Sequence, residues 1–121
     1  MIKKNSKHTI QTLVEKYKQS TIDYYLACYD DNFAKQKAAG SHVNQIAKTL
    51  DTFGDEGRLA LISLLDDPDH GVRTFVAADL LKIDPKRAIP VLEEISKGAT
   101  YFPRLDAGSF LESYAKGNWG R

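Results

Sequence analysis

LLDDPDHGVRTFVAADLLKI, residues 64–83, sets an Asp-Pro-Asp turn between two apolar stretches and follows it with Val-Arg and small residues. Pro68 cannot continue a helix interior and biases Asp67 away from the α region, so a Leu-rich helix ends here. Asp69 stands where an N-cap accepts backbone N–H groups of the next helix. Val72, Phe75, Val76, Leu80 and Ile83 then follow helical spacing. The device recurs at Asp84-Pro85, an N-cap with proline at the first helical position. The stretch therefore reads as helix, tight turn, helix, and a further helix start.

Working outward, the same periodicity covers the chain. Ile10, Leu13, Val14, Tyr17, Tyr24, Tyr25 and Cys28 form the stripe of a first helix, in which Ser20-Thr21 either loosen the helix or sit on its polar side. Asp30-Asp31-Asn32 reads as a turn and cap. A second helix over about 32–53 carries Phe33, Val43, Ile46, Ala47, Leu50 and Phe53, with Gly40 able to bend it at a cost of about 1 kcal/mol relative to alanine. Leu59, Ile62 and Leu65, with Leu61 beside them, mark the third helix. Ile89, Leu92 and Ile95 mark the fifth, which Gly98 ends. Pro103 and Asp106 announce a sixth with Phe110, Leu111 and Tyr114, Asp106 serving as its cap. No segment alternates with period two for long, and no Asn-Gly hairpin signal occurs. The fold class is all-α: about six helices in three antiparallel hairpins, since short connections make sequential helices antiparallel neighbours.

Composition agrees. In 121 residues, 42% are hydrophobic and 27% charged, as in a soluble globular domain. The formal net charge is +1, which supplies no global pull toward nucleic acid or membrane. No apolar run reaches the roughly 20 residues a membrane span needs. The basic N-terminus lacks the apolar segment of a signal peptide. Cys28 is the single cysteine, so no disulfide forms within the chain, and the expected location is the cytoplasm. Charge is unevenly spread. Residues 1–50 carry a net +4, residues 51–94 a net −5 and residues 95–121 a net +2. Helix caps account for much of the acidic middle, and the remainder makes a surface suited to a basic partner.

The unit GRLALISLLDDPDHGVRTFVAADLLKIDP (57–85) resembles a HEAT-type repeat, with a Leu-rich first helix, an Asp-bearing turn, and a second helix that opens on Val72-Arg73 and continues with Ala77-Ala78. Such a unit cannot bury its own apolar face and needs stacked neighbours. The order of three blocks, DDNFAKQ, then GDEGRLALISLLDDPDHGVRTFVAADLLKIDPKRAIPVLEEIS, then YFPRLDAGSFL, resembles a small bacterial family of domains of unknown function with HEAT-like helical repeats. Phe75 and Val76 depart from the smaller residues commoner there, and Asp79 falls beside the inward stripe. Some relatives of this type resemble immunity proteins that bind and neutralise a toxin domain. The resemblance implies a single HEAT-like domain over 1–121, a short right-handed helical-repeat array; Gly117 and Gly120 make 117–121 a loose tail around Trp119.

Catalytic motifs are missing from the sequence. His8, His42 and His70 are scattered, and no HExxH or CxxC occurs. AAGS (38–41) and KGAT (97–100) lack the lysine of a phosphate loop. Asp66-Asp67 reads as turn capping and Glu93-Glu94 as a solvated helix face rather than an acid–base pair. The expectation is a non-catalytic module with no cofactor, no metal and no catalytic residue. Its expected partner is a protein, a basic toxin domain being the fitting case. The candidate contacts are Asp66, Asp67, Asp69, His70, Arg73, Thr74 and Asp79. Arg73 would hold the turn through one of its Asp residues, and Asp79, turned toward the apolar side, would sit paired or at a rim. Tyr17, Tyr24, Tyr25 and Tyr29 would be core with hydroxyls at the edge, and Cys28 a small buried apolar residue. Nucleic-acid binding along Lys3, Lys4, Lys7, Lys16 and Lys18 is the alternative, opposed by the acidic middle. A homodimer through an apolar outer face is compatible with the first reading.

Overall fold

The computed structural model describes residues 2–118; the tail around Trp119 and the side chains of Lys3 and Lys4 lie outside the described residues. The described chain is all-helical: α1 (Ile2–Tyr29), α2 (Phe33–Asp51), α3 (Asp55–Ser63), α4 (His70–Leu80), α5 (Pro85–Ser96) and α6 (Tyr101–Ala115), with a 3₁₀ turn at Leu64–Asp66. It divides into two compact units between Ser63 and Leu64.

In the first unit α1 and α2 pack along each other as an antiparallel hairpin. The reversal is a Schellman motif. Asn32 N–H donates to the Ala27 carbonyl at 2.9 Å and Asp31 N–H to the Cys28 carbonyl at 3.2 Å. Asp31 takes the left-handed conformation, φ 58°, that glycine usually supplies. Asn32 then caps α2, its Oδ1 accepting from Lys35 N–H at 3.1 Å. Tyr17, Val43 and Leu50 are fully buried. α1 is unbroken, and Ser20 and Thr21 lie on its buried side rather than its polar one. The Thr21 hydroxyl donates to the Lys18 carbonyl at 2.7 Å, which removes the cost of burying it. Tyr25 is buried, Tyr24 and Cys28 are half-buried, and Tyr29 is exposed.

α3 packs on α1 and α2 through a close approach. A Cβ at Gly57 would collide with the Leu50 carbonyl group, so only glycine lets α3 come this near. The contact sets the rotation of α3. Leu61, one turn from Gly57, is buried, whereas Leu59 points away and is exposed. The expected stripe through Leu59 is therefore rotated. Phe33 also leaves its expected stripe and is exposed, because the buried line of α2 runs through Ala39, Val43 and Leu50.

In the second unit α4, α5 and α6 pack against one another. Asp69 caps α4 as the sequence predicts, its Oδ1 accepting from Val72 N–H at 3.0 Å. Val72, Val76, Ala77 and Ala78 are completely buried, so the small residues do bring α4 close to its neighbours. α4 ends at Leu80, and Ile83 lies exposed in the turn that follows. Asp84 precedes Pro85 at the start of α5, but its carboxylate goes to Arg87 Nη1 at 3.1 Å and caps no N–H. Pro90 sits inside α5 and is exposed, leaving one i→i−4 bond unmade. α6 begins five residues before the expected cap. Thr100 is its N-cap, and Asp106 lies half-buried in mid-helix. Pro103 falls in the first turn, where the first four N–H groups have no helical partner, so a proline there costs no bond. A second Schellman motif closes α6: Asn118 N–H to Ser113 O at 2.9 Å, Gly117 N–H to Tyr114 O at 3.0 Å, Gly117 φ 74°.

Candidate functional site

The Asp-Pro-Asp turn and the first two turns of α4 form one end of the second unit. Its geometry is built by local backbone capture. Asp67 Oδ1 accepts from Asp69 N–H at 2.9 Å, an Asx turn that aims Asp69 at the helix start. Asp67 N–H in turn donates to the Leu64 carbonyl at 3.1 Å. Asp66 and Asp69 are exposed and Asp67 is half-buried.

Arg73 locks this end to α5. Its Nε donates to the Leu65 carbonyl at 2.9 Å and its Nη2 reaches Glu94 Oε1 at 2.6 Å. The Arg73 side chain is 20% exposed and that of Glu94 66%, so the guanidinium is largely covered while its carboxylate partner faces water. Arg73 thus holds the turn through a main-chain carbonyl, and its charge goes to a helix 21 residues on. Glu94 is thus the carboxylate paired with the guanidinium, while Asp66, Asp67 and Asp69 stand in the turn that Arg73 holds through the Leu65 carbonyl.

His70 is exposed at the first position of α4, and its Nδ1 lies 2.7 Å from Thr100 Oγ1. The starts of α4 and α6 are thereby tied, and the Thr100 hydroxyl makes no capping bond of its own. Thr74 stands apart from the other expected contact residues. It is fully buried and its hydroxyl donates to the His70 carbonyl at 2.7 Å, so no partner touches it in this conformation. Asp79 is half-buried farther along α4. The surface is therefore Asp66, Asp67, Asp69, His70 and Arg73, extended by Glu94 and Thr100. Neither added residue announces itself in the sequence, since each meets α4 only through helix packing.

In the first unit a shallow groove of about 460 Å³ runs between α1 and α2, floored by Leu26, Ala27, Ala38 and Ala39 and edged by Asp23, Asp30, Lys35 and His42. Among the described residues no group of His, Cys, Asp and Glu converges as metal ligands do. No described helix is long and apolar enough to cross a membrane.

The fold has a solved counterpart. The crystal structure of the protein RPA1889 from Rhodopseudomonas palustris CGA009 superposes with a TM-score of 0.83, at 25% sequence identity, over 93% of each chain. No protein-family model matches the chain. No curated protein matches it either.

Proposed function

We propose that the chain is a non-catalytic protein-binding module whose partner presents a basic face to the ledge around Asp66, Asp69 and Glu94. The observation that carries this reading is the double engagement of Arg73 with the Leu65 carbonyl and Glu94. It fixes Glu94 and the turn that carries Asp66 and Asp69 before any partner arrives, and preorganised groups lose little freedom on binding. Complementary charge would steer a basic protein to the ledge and speed association. The HEAT-like resemblance of the sequence makes a toxin domain the fitting partner and a cytoplasmic immunity protein the fitting role.

The test is affinity capture of the tagged chain from its host lysate, beside an Asp66→Lys variant. Asp66 is exposed, so the variant keeps the fold. A basic protein held by the wild type, released by high salt and lost from the variant supports the reading. That protein must also be toxic when produced alone and harmless when co-produced with this chain. Nucleic acid captured with no protein partner, with the steep salt dependence of phosphate contacts, would transfer the function to the lysine-rich α1.

A further inference from the structure

The groove between α1 and α2 has one acidic wall and one basic wall. Asp23 and Asp30 stand on α1, Lys35 and His42 on α2, with Ala27 and Ala39 buried between the helices. The members of each charged pair are two helical turns apart and share one face. A Cβ on Gly40 would lie 3.8 Å from the Tyr24 ring, a contact that sets the register of the hairpin. Counted from it, Asp23 is level with His42 and Asp30 with Lys35, to within one residue or about 1.5 Å. All four are exposed, as are Leu26 and Ala38 beside them. Among the described residues no ion pair crosses the groove.

We propose that a second copy of this chain covers this groove, hairpin on hairpin, related by a two-fold axis parallel to the helices. That rotation keeps the height of every residue along the axis and exchanges left for right. α1 of each copy therefore lies on α2 of the other and runs antiparallel to it. Asp30 of each copy faces Lys35 of the other, and Asp23 faces His42. The same rotation carries the outer flank of α2 onto the outer flank of α1, so Leu26 meets Ala38, a large side chain beside a small one. All these contacts form twice. The product is a four-helix bundle in which every neighbouring pair is antiparallel.

Charge selects both the axis and the occupant. A two-fold running across the helices would lay α1 on α1 and set the acidic wall against itself. An unrelated chain would need a basic edge toward α1 and an acidic edge toward α2, each spaced by two turns and at matching heights. The hairpin turned over onto its own copy presents both. Asp23 accepts from Gln19 Nε2 at 2.9 Å through Oδ1, which orients the carboxylate and leaves its other oxygen for His42. A face the length of α2 and two helices wide buries roughly 1,100 Å² over both copies. That is just under the range of standard interfaces, so the dimer exchanges with monomer on dilution.

Sedimentation equilibrium of the full chain over a wide concentration range reads this directly. The wild type forms a dimer. Asp30→Lys and Lys35→Asp each weaken it at least about tenfold, because like charges then face each other at both symmetric contacts. Asp30 follows the end of α1 and Lys35 lies in the first turn of α2, so each reversal suits its helix end and the fold is kept. The double swap D30K/K35D restores the dimer. An equimolar mixture of the two single variants forms a dimer with one of each, since opposite charges again meet at both contacts. Ala38→Arg, at an exposed site, abolishes the dimer while far-UV circular dichroism stays that of the folded chain. A chain that stays monomeric at every concentration, or a dimer indifferent to Ala38→Arg, overturns the proposal. Single variants that remain monomeric when mixed overturn the α1-on-α2 pairing.

Discussion

Replacing Gly57 by alanine should destabilise the first unit, although alanine is the better helix former. Ala in place of Gly in a helix favours folding by up to about 1 kcal/mol. At Gly57 the new methyl would be driven into the carbonyl oxygen and carbon of Leu50. These are backbone atoms at the end of α2, with no flexible side chain to turn aside, so α3 must shift as a body. Overpacking of this kind costs about 1–3 kcal/mol. Set against the full helix gain, the net loss is up to about 2 kcal/mol, or up to roughly 8 °C in melting temperature for a chain of this size. Gly40→Ala in the same unit is the matched control. Its methyl would lie 3.8 Å from the Tyr24 ring, an ordinary contact, in the middle of α2. That variant should gain about 0.5–1 kcal/mol. Urea unfolding followed by circular dichroism separates the two by sign. If Gly57→Ala proves as stabilising as Gly40→Ala, the close approach of α3 to Leu50 is wrong.

Three further predictions concern caps and the Arg73 tie. Asp31→Gly relieves the left-handed residue at the end of α1 and should raise stability by about 0.5–1 kcal/mol in urea unfolding. Asp69→Ala removes a side-chain cap and should cost about 1 kcal/mol, whereas Asp84→Ala, which removes no cap bond, should cost clearly less; equal losses would refute the capping assignment. Arg73→Met strands the Leu65 carbonyl and should cost about 1–3 kcal/mol, while Glu94→Gln, which alters only an exposed ion pair, should cost less than about 1 kcal/mol; the same unfolding assay refutes this if the two losses match.

What could be read in the chain itself was local. Helix number, the Asp30–Asn32 reversal, the Asp-Pro-Asp turn and the Asp69 cap depend on proline geometry, short side-chain reach and the 3.6-residue period, all of which act within a few residues. The acidic ledge was legible for the same reason, because Asp66, Asp67 and Asp69 are neighbours in sequence. The errors have a common origin. Phe33 and Leu59 look like core by type, yet which side of a helix is buried depends on what lies against it, and for α3 that is set by one glycine meeting one carbonyl. Asp106 looks like a cap because it follows a proline, but Pro103 is tolerated in a first turn and the helix starts earlier. Thr74 sits beside contact candidates in sequence and one helix face away from them in space.

Tertiary structure alone decided where the charges of the ledge go. Arg73 could have closed on any of three aspartates close by. Instead it spans to Leu65 and to Glu94, and His70 reaches Thr100. Those partners lie on separate elements, and packing of α4 against α5 and α6 fixes their distances. Nearest-neighbour chemistry determined each helix and each turn; the buried faces of Val72, Val76, Ala77, Ala78 and Leu92 determined which helix ends meet. A pairing that depends on two helices touching carries no mark in either helix by itself.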